Sequence, residues 1–132
     1  MRGNGRNYDK TRTRGRRFSM KILIVEDEWF LAIALQDMLA ELGHSVVAVA
    51  SKLKEGLLMA EREDFDFAIL DVSLDGEMSH PIAAILDGKG RPYVFATGYS
   101  PAVVGGSRSQ LKRPMLLKPY DLEDLRRVLP PS

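Results

Sequence analysis

From Met20 onward the apolar positions change period repeatedly. Lys21–Val25 is a short, β-branched, continuously apolar run, the pattern of a strand buried on both faces. Leu31, Leu35, Met38, Leu39 and Leu42 then recur along one stripe of an amphipathic helix, with Gly43 as its stop. Ser45–Ala50 predicts a second strand, and Ser51 an N-cap for a helix whose Leu53, Leu57 and Ala60 share a face. Phe65–Leu70 predicts a third strand ending in Asp71, followed by a loop over Val72–Ser79 and a short helix beginning near Pro81. Pro92–Ala96 and Met115–Leu117 predict strands four and five. Asp121, with Asp124 three residues on, caps a last helix whose Leu122, Leu125, Val128 and Leu129 face inward, and Pro130-Pro131 ends it. Gly98–Pro114 is rich in glycine and serine with little apolar periodicity, and reads as mostly loop with a weak or absent fourth helix.

Strands alternating with helices imply an α/β fold, a doubly wound five-stranded parallel sheet with both faces covered. In such sheets ligands bind beyond the carboxyl ends of the strands, near the point where the winding reverses.

The chain has 132 residues, 45% hydrophobic and 28% charged, the balance of one globular domain. It has no cysteine, which excludes a disulfide scaffold, a Cys-ligated zinc site and a thiol nucleophile. No apolar run approaches the ~20 residues of a membrane span, so a soluble cytoplasmic protein is expected. The net charge of +1 conceals an asymmetry. Residues 1–19 hold seven basic groups against Asp9, while 20–132 hold 12 basic and 17 acidic residues. So basic and sparsely apolar a leader is expected to be a disordered extension. It reads as a solvated tail, a binding arm, or a mis-assigned start upstream of Met20-Lys21-Ile22. Arg16-Arg17-Phe18 loosely resembles an export signal, but Ile22–Val25 is too short an apolar stretch to complete one.

The strand ends carry the chemistry. Strand one ends in Glu26-Asp27-Glu28, strand three in Asp71, strand four in Thr97-Gly98 and strand five in Lys118-Pro119. A parallel sheet puts all four on one edge. Two carboxylates ~4 Å apart repel by about 4 kcal/mol at an effective dielectric near 20, so such crowding calls for a cation. An all-oxygen donor set suits Mg²⁺ or Mn²⁺ over zinc or copper.

Ile22-Leu23-Ile24-Val25-Glu26-Asp27-Glu28, Leu70-Asp71, Phe95-Ala96-Thr97-Gly98-Tyr99 and Leu117-Lys118-Pro119-Tyr120, in that order, resemble the receiver domain of bacterial two-component response regulators. The resemblance spans 20–129 and implies a flavodoxin-like (CheY-like) sheet. The Phe-Ala-Thr-Gly-Tyr stretch is similar to a subgroup of stand-alone receivers paired with HWE/HisKA2-type histidine kinases and common in alphaproteobacteria. The resemblance implies that Asp71 accepts a phosphoryl group from a histidine kinase. It also implies that Glu26, Asp27 and Asp71 hold Mg²⁺ with the Ser73 backbone carbonyl, and that Lys118-Pro119 is cis. Phosphoryl transfer needs an in-line nucleophile and dispersed positive charge, which Asp71, Lys118 and the Thr97 hydroxyl are suited to provide. No further enzymatic turnover is expected beyond Mg²⁺-dependent phosphorylation and autodephosphorylation. The output is expected through contacts with an unidentified protein target, by a monomer or weak homodimer, with no DNA-binding domain and no membrane segment.

Two features depart from the family pattern. Glu26 stands where Asp is commoner. Met115 stands three residues before Lys118, where the family places an aromatic switch, leaving Tyr99 or Tyr120 as substitutes. His44 and His80 read as solvated turn residues, and Trp29 as either an exposed contact beside the acidic edge or a packing residue on the first helix. The alternative function is a phosphorylation-independent interaction module on the same fold. A haloacid-dehalogenase-like phosphatase would want Asp at the position of Ser73, and a flavin site would not place Glu26-Asp27-Glu28 against phosphate.

Overall fold

A computed structural model describes residues 19–98, 105–107, 110 and 112–130. In chain order the elements are β1 (Lys21–Val25), α1 (Trp29–Glu41), β2 (Ser45–Ala50), α2 (Leu53–Arg62), β3 (Phe67–Asp71), β4 (Ser73–Leu74), β5 (Glu77–Met78), α3 (His80–Lys89), β6 (Tyr93–Thr97), β7 (Met115–Leu117) and α4 (Leu122–Val128). The main sheet is parallel with order β2-β1-β3-β6-β7, and β4 and β5 form a separate antiparallel hairpin. This is the receiver-type, flavodoxin-like topology expected from the sequence.

The central strands are apolar throughout because both faces are covered. Leu23, Val25, Ala68, Leu70, Tyr93 and Phe95 point into one layer with Ala60 of α2 and Ile82 and Leu86 of α3. Ile22, Ile24, Phe67, Ile69, Val94 and Ala96 point into the other, against Leu35 and Leu39 of α1 and Leu125 of α4. Truncating a fully buried leucine such as Leu39 to alanine costs about 2–5 kcal/mol. At Gly56 a Cβ would collide with Ile82 Cδ1, so α2 lies close against α3 only because that side chain is absent.

Helix ends follow local chemistry. Gly43, at φ 92°, follows the C-cap Leu42 and terminates α1. Asp121 and Asp124 form a reciprocal capping box on α4, as their spacing predicts. Ser51 does not cap α2. Its N–H and hydroxyl both donate to Glu55 Oε1 and the helix starts one residue later, with Lys52 at the cap. The third strand starts at Phe67, because the Asp66 N–H and carboxylate are already paired with the Lys21 backbone.

Other expectations need correction. The predicted loop Val72–Ser79 contains the β4–β5 hairpin, closed by the two-residue turn Asp75-Gly76 with φ 52° and 90°. His44 is buried and its Nδ1 accepts the Met20 N–H at 3.1 Å. His80 opens α3, stacks 5.3 Å from the Phe95 ring and reaches Gly105 O with Nε2 at 3.3 Å. Neither histidine is a solvated turn residue. The leader 1–18, Tyr99 and most of the predicted weak fourth helix lie outside the described residues, and among those described no helix is long and apolar enough to cross a membrane.

Candidate functional site

The chain winds from β1 to β2 in one direction and then returns across β1 to β3. The loops leaving β1 and β3 therefore diverge, and a crevice opens between them. Glu26 and Asp27 follow β1, Asp71 is the last residue of β3, and one oxygen from each of the three lies within 4.8 Å of the others. Thr97 ends β6 and is buried, and its carbonyl accepts the Lys118 N–H at 2.8 Å. The Lys118-Pro119 peptide is cis. Lys118 Nζ stands 3.2 Å from Glu26 Oε1 and 3.3 Å from Asp71 Oδ2. Asp27, Glu28, Asp71, Ser73, Thr97, Gly98 and Lys118 line a cavity of about 310 Å³.

Two of the carboxylates are each held by a backbone N–H. The Glu28 N–H donates to Glu26 Oε2 at 3.1 Å, and the Asp75 N–H donates to Asp27 Oδ2 at 2.9 Å. Burial first, and then the neighbouring Glu26 charge, push the Asp71 carboxyl up to about 7 against the opposing pull of Lys118. Burial works against the Lys118 ammonium, but Asp71 and Glu26 outweigh it and hold its pKa above the ordinary lysine range. The site is thus a largely buried acidic cluster with the Lys118 ammonium as its cation among the described residues, and a solvent-facing mouth. Its all-oxygen donors, close enough to share an ion and carrying more negative charge than one ammonium offsets, fit a hard divalent cation.

All the expected residues converge: Glu26, Asp27 and Asp71 cluster, while Ser73, Thr97 and Lys118 line the same cavity as Asp71. The Asp75 backbone contact is an addition, and the Leu74-Asp75-Gly76-Glu77 stretch carried its signal, since Asp-Gly is a strong hairpin turn pair. Beside the cavity, Leu31, Ala34, Met38, Pro119 and Tyr120 line an apolar groove of about 410 Å³. Tyr120 is half-buried there, its hydroxyl pushed well above the usual tyrosine range by burial and the Glu26 and Asp71 charges. Trp29 is 68% exposed, edge-on to the 78% exposed Phe30 at 5.1 Å, which settles its alternative in favour of exposure. Met115 pairs beside Phe95 and packs into the α2/α3 layer.

The sequence model of the response regulator receiver domain matches residues 22–129. Comparison with curated proteins gives no match. Among solved structures the chain is similar to SdrG from Sphingomonas melonis Fr1, with 36% identity and a TM-score of 0.73 over 83% of this chain and 92% of that one. It is similar to the BeF3-activated conformation of SdrG from Pseudomonas melonis Fr1, with 35% identity and a TM-score of 0.68 over 81% and 90%. It also resembles the response regulator PhyR from Brucella abortus, with 25% identity and a TM-score of 0.71 over 84% of this chain; the match spans only 46% of that protein. The chain belongs to the response regulator receiver domain family.

Proposed function

We propose that this receiver accepts a phosphoryl group on Asp71 from the phosphohistidine of a histidine kinase and passes the signal on by protein–protein contact. The observation that carries the reading is the placement of Asp71. It lies 3.3 Å from the Lys118 ammonium and within 4.8 Å of Glu26 and Asp27, on a cavity that Thr97 and Gly98 also line. The carboxylate oxygen of Asp71 forms the new O–P bond while the P–N bond breaks. The electron pair returns to the imidazole, which takes up a proton in place of phosphorus. Lys118 would take one equatorial oxygen of the transferring group, and the Thr97 hydroxyl and nearby backbone N–H groups another. A Mg²⁺ or Mn²⁺ ion held by Glu26, Asp27, Asp71 and the Ser73 carbonyl would neutralise charge on the phosphoryl oxygens. SdrG, a relative, adopts an activated conformation with BeF3, which supports a phosphoryl-accepting role for the similar pocket here.

The donor protein must bring its phosphohistidine to the cavity mouth. The groove at Pro119 and Tyr120, which shares Glu28 and Lys118 with the cavity, and the exposed Trp29–Phe30 pair that follows Glu28 in sequence are its contact surface in this reading. For output, the described residues Gln110 and Arg113 after β6 make polar contacts with α3. Gln110 Nε2 donates to His80 O at 3.2 Å, and Arg113 pairs with Asp87 at 3.2 Å. Met115 supplies no aromatic lever, so a change in this polar seam on phosphorylation, read by a target protein, is the output we propose. Phosphotransfer from candidate host kinases, HWE/HisKA2-type enzymes included, tests the reading. Label should pass to the unmodified chain and not to Asp71→Asn; equal transfer to both would refute it.

A further inference from the structure

We infer that the β4–β5 hairpin is the positioning element of the acidic site, holding the Asp27 carboxylate and the Ser73 carbonyl together through the geometry of its Asp75-Gly76 turn. The inference rests on the metal-binding reading above. Two features of the hairpin bear on the pocket. The first is the Asp75 N–H, which donates to Asp27 Oδ2 at 2.9 Å across 48 residues of sequence. A backbone donor on a carboxylate is a charge-assisted bond, and here it fixes the rotation of Asp27 about its own side chain. Outer contacts of this kind orient metal ligands and tune their affinity.

The second is the register. Leu74 pairs with Glu77 next to the two-residue turn, and Ser73 pairs with Met78 one step further on. In a two-residue hairpin the pair beside the turn exchanges both ladder hydrogen bonds, and the next pair exchanges none. Ser73, which lines the cavity, therefore turns its carbonyl away from the ladder. A slip of one residue would place that carbonyl in the ladder.

Both features depend on one turn. Asp75 has φ 52° and Gly76 φ 90°, the paired left-handed conformations of a type I′ turn. Aspartate adopts the first with modest strain, whereas the second disfavours any side chain and β-branched ones most. Nothing lies within 4 Å of where a Gly76 Cβ would sit, so a substitution there strains the turn without a steric clash. Asp75 contributes its backbone, and its exposed side chain is dispensable for the contact.

The test is a Mg²⁺ titration of the full chain followed by fluorescence of Trp29, its one tryptophan, beside Glu28 at the cavity edge. Gly76→Val should weaken Mg²⁺ about tenfold, and Gly76→Ala less, while thermal unfolding in chelator shows both variants folded. Asp75→Asn, which keeps the N–H and tolerates the turn, should bind within about twofold of the unmodified protein. Unchanged affinity in both Gly76 variants overturns the inference. So does Asp75→Asn weakening binding as much as Gly76→Val, since that would make the Asp75 side chain the ligand. Absence of Mg²⁺ binding by the unmodified protein would instead overturn the metal-binding reading itself.

Discussion

The Lys118 ammonium sits 3.3 Å from Asp71 Oδ2 while also 3.2 Å from Glu26 Oε1, so one cation bridges two buried carboxylates at the ends of β1 and β3. Removing it leaves Asp71 and Glu26 facing each other with no countercharge among the described residues. Lys118→Ala should therefore destabilise the metal-free protein by roughly 1.5–3 kcal/mol near pH 8. The loss should shrink toward pH 6, where Asp71 takes up a proton. Chemical unfolding at the two pH values checks this; equal losses at both would show that the ammonium does not compensate the carboxylates.

The raised pKa of Asp71 has its own pH signature. Its folded-state value of about 7 lies above the ordinary aspartate value of 3.8, so the folded protein holds this proton more tightly than the unfolded chain. The stabilisation is complete below about pH 4 and is lost as pH rises through about 7. In chelator, the unfolding midpoint should fall between about pH 5.5 and about pH 8, and Asp71→Asn should remove that part of the slope. A midpoint that rises over this interval and is unaltered by the substitution contradicts the assignment.

Divalent metal should offset the same crowding. At about ten times its dissociation constant, Mg²⁺ adds roughly 1.4 kcal/mol, a shift of a few degrees in the unfolding midpoint. Asp27→Ala should lose that shift and, in chelator, be no less stable than the unmodified chain, because a like charge has gone. Calorimetry with and without Mg²⁺ decides; a midpoint indifferent to the ion in the unmodified protein speaks against the site.

The seam between α3 and the β6–β7 connection gives a local prediction. His80→Ala removes a ring contact with Phe95 and a hydrogen bond to Gly105. Amide exchange at Gly105, Gly106 and Ser107 should accelerate about tenfold or more, while Ile24, Ile69 and Val94 keep their protection. Uniform acceleration across the sheet would show that His80 supports the whole fold and not the seam.

Why the candidate site was legible in the sequence follows from the sheet. Ile22–Val25, Phe67–Leu70 and Tyr93–Ala96 are buried on both faces, so they are apolar without interruption, and the polar residue ending each run marks the edge where the candidate site lies. Parallel strands place those ends together, which is how Glu26, Asp71, Thr97 and Lys118 converge from distant positions. The hairpin escaped because strands of two residues are too short to display alternation, although Asp75-Gly76 carried the turn. His44 and His80 escaped for another reason. Each ring's partner, the Met20 N–H or Gly105 O, lies 24 or 25 residues away, and no local pattern announces it. Ser51 followed its capping preference in type but bonded the Glu55 carboxylate one helical turn on.

The central claim is that Asp71 is the phosphoryl acceptor, and mass spectrometry of the intact chain after incubation with a small phosphoryl donor and Mg²⁺ tests it most directly. The account predicts the gain of one phosphoryl group, mapped to the peptide containing Asp71, reversed by alkaline hydroxylamine as an acyl phosphate should be, and absent without Mg²⁺ or in Asp71→Asn. The same modification persisting in Asp71→Asn, or mapping to another residue, would contradict it.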